Sequence, residues 1–204
     1  MFGVEMLTAI AVGLFVGVLH AFDADHVIAM SSYANTSRKM SHILRYACKW
    51  GLGHGGVLLF LSTVLVLVGF QLPSWFVHYS EMAVGLLLIY LGLRLLMLVV
   101  RQTKDLHRSR IVQHDHTPLF IGMLHGVAGS APMLALLPNM LKSQFLQHVA
   151  WFSLGCMLGM FSFGFMFAVV QTKYIQRNVN LAKGFTSVLA TLSVGFGGYW
   201  LMSS

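Results

Sequence analysis

Apolar residues along this chain come in six long, nearly unbroken stretches separated by short polar segments. About 20 such residues cross the hydrocarbon core of a bilayer as an α-helix. On that measure the pattern predicts spans at roughly 4–27, 47–70, 80–100, 118–141, 148–171 and 183–202. The expected fold class is an all-α membrane protein, one transmembrane domain over residues 1–204.

Charge sharpens that picture. The first predicted loop holds Arg38, Lys39, Arg45 and Lys49, the third Arg101, Lys104, Arg108 and Arg110, and the fifth Lys173, Arg177 and Lys183. The even-numbered loops hold Lys142 alone. Lys and Arg concentrate in cytoplasmic loops, so loops one, three and five are expected inside and both termini outside. The expected location is the cytoplasmic (inner) membrane of a bacterium. With 57% hydrophobic and only 9% charged residues, against about a quarter charged in soluble domains, a soluble enzyme or binding module is excluded. The net charge of +7 resides in loops, which sets topology and makes no nucleic-acid footprint. Cys48 and Cys156 are two distant thiols, too few for a disulfide framework. Glu5 and the lack of a basic n-region argue against a cleavable signal peptide.

The spans also carry an internal echo. Gly17-Val18-Leu19-His20-Ala21 matches Gly122-Met123-Leu124-His125-Gly126, and Trp50-Gly51-Leu52-Gly53-His54 matches Phe152-Ser153-Leu154-Gly155-Cys156. Two matches in the same order at nearly the same offset predict a duplication: repeat one over about 1–100, a His-containing cytoplasmic loop over about 101–117, repeat two over about 118–204. Three spans per half force the second half to enter the membrane in the opposite sense. The expected architecture is therefore two inverted three-helix repeats, an arrangement that places substrate near the midplane between the halves.

Candidate chemistry gathers at the end of the first span, in His20-Ala-Phe-Asp23-Ala-Asp25-His26. Ionisable groups at membrane depth are costly and mark ion or proton sites by default. Imidazole and carboxylate together suit borderline divalent metals such as Ni²⁺, Co²⁺ and Zn²⁺. On a continuous helix His20, Asp23 and His26 span an arc of about 120°, with Asp25 pointing away. If the helix breaks at the motif, all four can converge. His54, in Gly51-Leu52-Gly53-His54-Gly55-Gly56, is the next candidate ligand, since glycines allow its helix to approach the first span closely. His125 and Ser130, in a Gly- and Pro-containing stretch, and Cys156 are candidate pathway residues. His107, His114, Asp115 and His116 make the third loop a candidate metal-collecting tract.

The first motif, His20-x₄-Asp25-His26, resembles the first-helix signature of the nickel/cobalt transporter superfamily. Leu52-Gly53-His54 is similar to its second-helix motif, and His125-Gly126-Val127-Ala128-Gly129-Ser130-Ala131 looks like the fourth-span motif of its short, six-span, urease-accessory-like branch. The resemblance implies a carrier of Ni²⁺ or Co²⁺, with His20, Asp25, His26 and His54 handling the metal. The ion would be transported substrate, with no resident cofactor. Histidine protonation would be a means of coupling flux to pH. The implied partners are the divalent ion and the bilayer, with a homo-oligomer or partner subunit as further candidates and no nucleic acid. A membrane accessory protein delivering nickel to an enzyme is the alternative. An enzyme using His-x₄-Asp as a general base is a weaker one, because no loop is long enough to supply a catalytic domain.

Overall fold

The computed structural model describes residues 2–35, 37, 39–69, 73–100, 116–129 and 142–203. Among them are seven α-helices, α1 (Phe2–His20), α2 (Ala24–Ala34), α3 (Met40–Val68), α4 (Ser74–Val100), α5 (Thr117–Ala128), α6 (Lys142–Lys173) and α7 (Val179–Ser203). A 3₁₀ turn, Ile175–Arg177, links the last two. Four helices, α3, α4, α6 and α7, are each long and apolar enough to cross a membrane, and α1 with α2 passes the same test as one bent pair. The chain is an integral membrane protein. Its exposed surface fits a lipid solvent, with Phe15, Phe60, Leu67, Leu86, Val188 and Leu192 all turned outward.

The predicted spans differ from the observed helices mainly at the first span and at several starting residues. The 4–27 helix is broken: α1 ends at His20, α2 starts at Ala24, and the two are bent by 54°. At the break the chain tightens into three-residue turns, Phe22 N–H donating to the Leu19 carbonyl (2.9 Å) and Asp23 N–H to that of His20 (3.0 Å). Asp23 then occupies the N-cap position of α2 without capping it, because its carboxylate is taken by His20. The 118–141 span begins as expected with α5, which ends at Ala128, and the 130–141 portion lies outside the described residues. The second span starts seven residues earlier than predicted, at Met40, so Arg45 and Lys49 ride on α3 instead of in a loop. A 29-residue helix is about 43 Å long, well beyond the roughly 30 Å hydrocarbon core, and the excess length at the Met40 end brings Arg45 toward the headgroup layer. Gly69 stops α3 at the other end, in a left-handed conformation (φ 72°) with its N–H on the Leu65 carbonyl.

Packing follows the glycines. α1 lies along α6, α5 along α3, α3 along α6, and α4 along α7. A Cβ at Gly17 would overlap the Phe152 carbonyl, and one at Gly122 would overlap that of Trp50. Likewise Gly155 abuts the Leu14 carbonyl and Gly53 that of Leu119. Backbones this close gain dispersion contacts, the main source of helix association in lipid.

α2 is the most enclosed segment, with eight of its eleven residues buried. Its C-terminal end is held by side chains from other helices. Gln171 Nε2 donates to both the backbone oxygen and Oδ1 of Asn35 (2.9 Å each), and Asn35 Nδ2 donates to Thr186 Oγ1 (2.9 Å). Gln176 Nε2 donates to the Ser37 carbonyl (2.7 Å). These bonds satisfy carbonyls that a helix end leaves open.

Candidate metal site

His20, His26, His54 and His125 meet at the break. His54 is the central residue of α3, a helix long and apolar enough to cross a membrane. Ring centroids of His20 and His26 are 4.8 Å apart, His26 and His54 4.9 Å, His20 and His54 5.4 Å, and His26 and His125 5.4 Å. His26, His54 and His125 are at most 3% exposed, and the His20 side chain is 18% exposed.

Hydrogen bonds define how each ring is presented. His20 Nδ1 donates to Asp23 Oδ2 (2.7 Å), and His26 Nδ1 to Asp25 Oδ1 (3.0 Å). His125 Nδ1 donates to the Ile121 carbonyl (3.0 Å). Carboxylates and carbonyls only accept, so in all three rings the proton sits on Nδ1 and the lone pair on Nε2. His26 Nε2 lies 3.4 Å from His54 Nδ1, and the His54 proton then also belongs on Nδ1. In their neutral forms all four imidazoles thus carry their lone pair on Nε2. Three of those atoms, on His20, His54 and His125, are buried without a hydrogen-bond partner. Buried polar atoms without partners are rare and call for an explanation.

A metal ion would supply one. Ligand atoms from His20, His26 and His54 lie within 4.8 Å of one another, and so do those from Asp23, Asp25 and His26. A Cβ at Gly129 would sit 3.4 Å from His20 Nε2, so the glycine keeps space open beside that lone pair. Asp23 and Asp25 bind the far nitrogens of their histidines, the arrangement in which a carboxylate orients a metal-ligating imidazole and raises its basicity.

Other sequence candidates fall in different places. Cys156 is fully buried against Leu58 and Phe152, in an apolar setting. His116 is exposed at the start of α5. His107, His114, Asp115 and Ser130 lie outside the described residues. Trp50 was not singled out from the sequence, yet its ring lies 5.0 Å from that of His125. Phe152, its counterpart in the repeat, lies 5.3 Å from His20. The alignment of the two halves pairs both aromatics and both histidines, and that pairing was the available signal.

Comparison with known proteins follows the same line. The chain is 28% identical over 212 residues to the urease accessory protein UreH of Bacillus sp. (strain TB-90), covering 97% of this chain and 92% of that protein. The likeness to a urease accessory protein therefore runs along nearly the whole chain. No family model and no solved structure matches.

Proposed function

We propose that this chain carries a divalent transition-metal ion across the membrane, Ni²⁺ by preference and Co²⁺ next. The observation that carries the reading is the trio of buried, unpartnered Nε2 atoms of His20, His54 and His125 around His26 at the break of a span. An all-imidazole face backed by carboxylates suits Ni²⁺ and Co²⁺ better than Mg²⁺ or Ca²⁺, which prefer oxygen, and better than Cu⁺, which prefers sulfur.

In the proposed mechanism the ion enters beside the half-exposed Asp23 and the partly exposed His20, then passes to the fully buried His26 and His54. α2 blocks the opposite direction in this conformation, and its displacement opens that route. Two inverted halves supply the alternation. The paired glycine contacts support that reading, because Gly17 on Phe152 maps onto Gly122 on Trp50, and Gly155 on Leu14 maps onto Gly53 on Leu119. The concentration of Lys and Arg in alternate loops supports an orientation with both termini outside.

The test is ⁶³Ni²⁺ flux into proteoliposomes with the native protein and His54→Ala. Saturable flux that falls at least tenfold in the variant supports the reading, and undiminished flux removes His54 from it. The printed name of the Bacillus relative favours a second reading, delivery of nickel to an enzyme without net flux. Tight Ni²⁺ binding with no flux in either protein would select it.

A further inference from the structure

α2 is packed as a plug. A helix at a protein surface buries one stripe of its residues, but residues 28–34 of α2 are buried one after another. The helix is in contact with α3, α4, α6 and α7. It runs from His26, in the histidine cluster, to its C-cap Asn35, nine residues further on, a distance of about 13 Å. It therefore fills the route from the histidines toward the Met40 end of α3. Ser31, Ser32 and Asn35 are buried along it, residue types more often found exposed.

The joints that hold α2 differ in kind from those elsewhere in the bundle. α1 meets α6, and α3 meets α5, as glycine against backbone carbonyl, contacts that nothing replaces once the helices part. Where a glycine faces α2, at Gly164, the α2 atom beside it is the terminal methyl of Met30, a flexible group. The end of α2 is tied instead by hydrogen bonds. Two run from Gln171 Nε2 to Asn35, one from Asn35 Nδ2 to Thr186 Oγ1, and one from Gln176 Nε2 to the Ser37 carbonyl, all 2.7–2.9 Å. Such bonds exchange for bonds to water at small net cost. The cluster is also incomplete. Gln171 is fully buried, yet its Oε1 has no partner, and neither has Ser32 Oγ on α2. Both groups gain a partner when water enters, which offsets part of the cost of opening.

We propose that Asn35, Gln171 and Thr186, with Ser37 and Gln176 beside them, form a latch that holds α2 closed and parts to open the route to the Met40 end. Closed, the latch joins α2 to α6, α7 and the turn between them. Open, it leaves Gln171 Oε1 and Ser32 Oγ hydrated, which narrows the free-energy gap between the two arrangements and lets a bound ion tip it. The latch rests on the carrier reading for what passes when it parts. The motion itself does not depend on the cargo.

The test is alkylation of Ser32→Cys by a charged, water-soluble maleimide, in the full-length protein purified in detergent. Cys48→Ser removes the exposed native thiol, and peptide mass assigns the label. Cys156, fully buried against Leu58 and Phe152, remains as the internal control. Ser32 is 2% exposed, so labelling there should be slow while the latch is closed and should follow the open population. Gln171→Leu removes two of the four bonds and should speed labelling at position 32 at least tenfold, with the Cys156 rate unchanged. Should that variant not fold, Thr186→Val takes the acceptor from Asn35 Nδ2 and should give at least a threefold rise. Equal acceleration at both positions would mean that the bonds only rivet the fold, and it overturns the proposal. So does an unaltered rate at position 32. The latch is judged on these labelling rates and the carrier reading on ⁶³Ni²⁺ flux, so either can fail while the other stands.

Discussion

Asp25→Asn isolates what a carboxylate behind a ligand contributes. Asp25 accepts from His26 Nδ1 at 3.0 Å, and its side chain is 14% exposed. Asparagine keeps the shape and one acceptor oxygen but loses the negative charge. The amide can also turn its NH₂ toward the ring, which would press the proton onto Nε2 and block the lone pair. Loss of such a partner typically costs 10- to 100-fold in metal affinity, about 1.4–2.7 kcal/mol. Exclusion from bulk water places this pair in the upper part of that range. Asp23→Asn supplies the internal control. The Asp23 side chain is 54% exposed, water weakens its field, and its loss should cost less than tenfold. The assay is calorimetric Ni²⁺ titration of the purified protein, with His26→Ala and the double variant completing a cycle. If Asp25 acts only through His26, Asp25→Asn should add almost nothing in the His26→Ala background. Affinity of Asp25→Asn within threefold of native, or a full effect without His26, would refute the reasoning.

Two stability predictions follow from packing. Gly17→Ala and Gly122→Ala each place a methyl against a facing carbonyl and should destabilise by about 1–3 kcal/mol, whereas Gly184→Ala meets nothing within 4 Å and should be neutral or stabilising by up to about 1 kcal/mol; melting temperatures in detergent would separate them. Asn35→Ala strips an acceptor from Gln171 and a donor from Thr186, so it should cost about 1–3 kcal/mol in the same assay. Its effect on Ni²⁺ affinity should stay within twofold, since these atoms lie at the far end of α2 from His26.

Membrane helices are legible because lipid demands long apolar runs, and α3, α4, α6 and α7 stand close to where the hydropathy put them. The break after His20 was one of two conformations compatible with the motif. Nothing in Ala21-Phe22-Asp23 forbids a helix, and what accompanies the break is the local claim of His20 on the Asp23 carboxylate and the close fit of Gly17 against α6 and of Gly159, on α6, against Val18 and Ala21. The clustering of His54 with His20 and His26 could be read from its glycine-rich surroundings. That of His125 with His26 could not, because it depends on how α5 lies on α3 across the two halves.

Aromatic rings cover His20 and His125 in the same manner, one from each half, whereas His26 and His54 both come from the first half. On the proposed reading of two inverted halves, a scaffold with like-for-like contacts has little reason to prefer either of two mirrored arrangements when empty. An ion gripped by His26 and His54 breaks that tie, since it favours whichever arrangement keeps those two nitrogens close. Cargo of this kind would act as its own allosteric ligand, and the difference in its affinity on the two faces would equal the free energy by which it tilts the carrier.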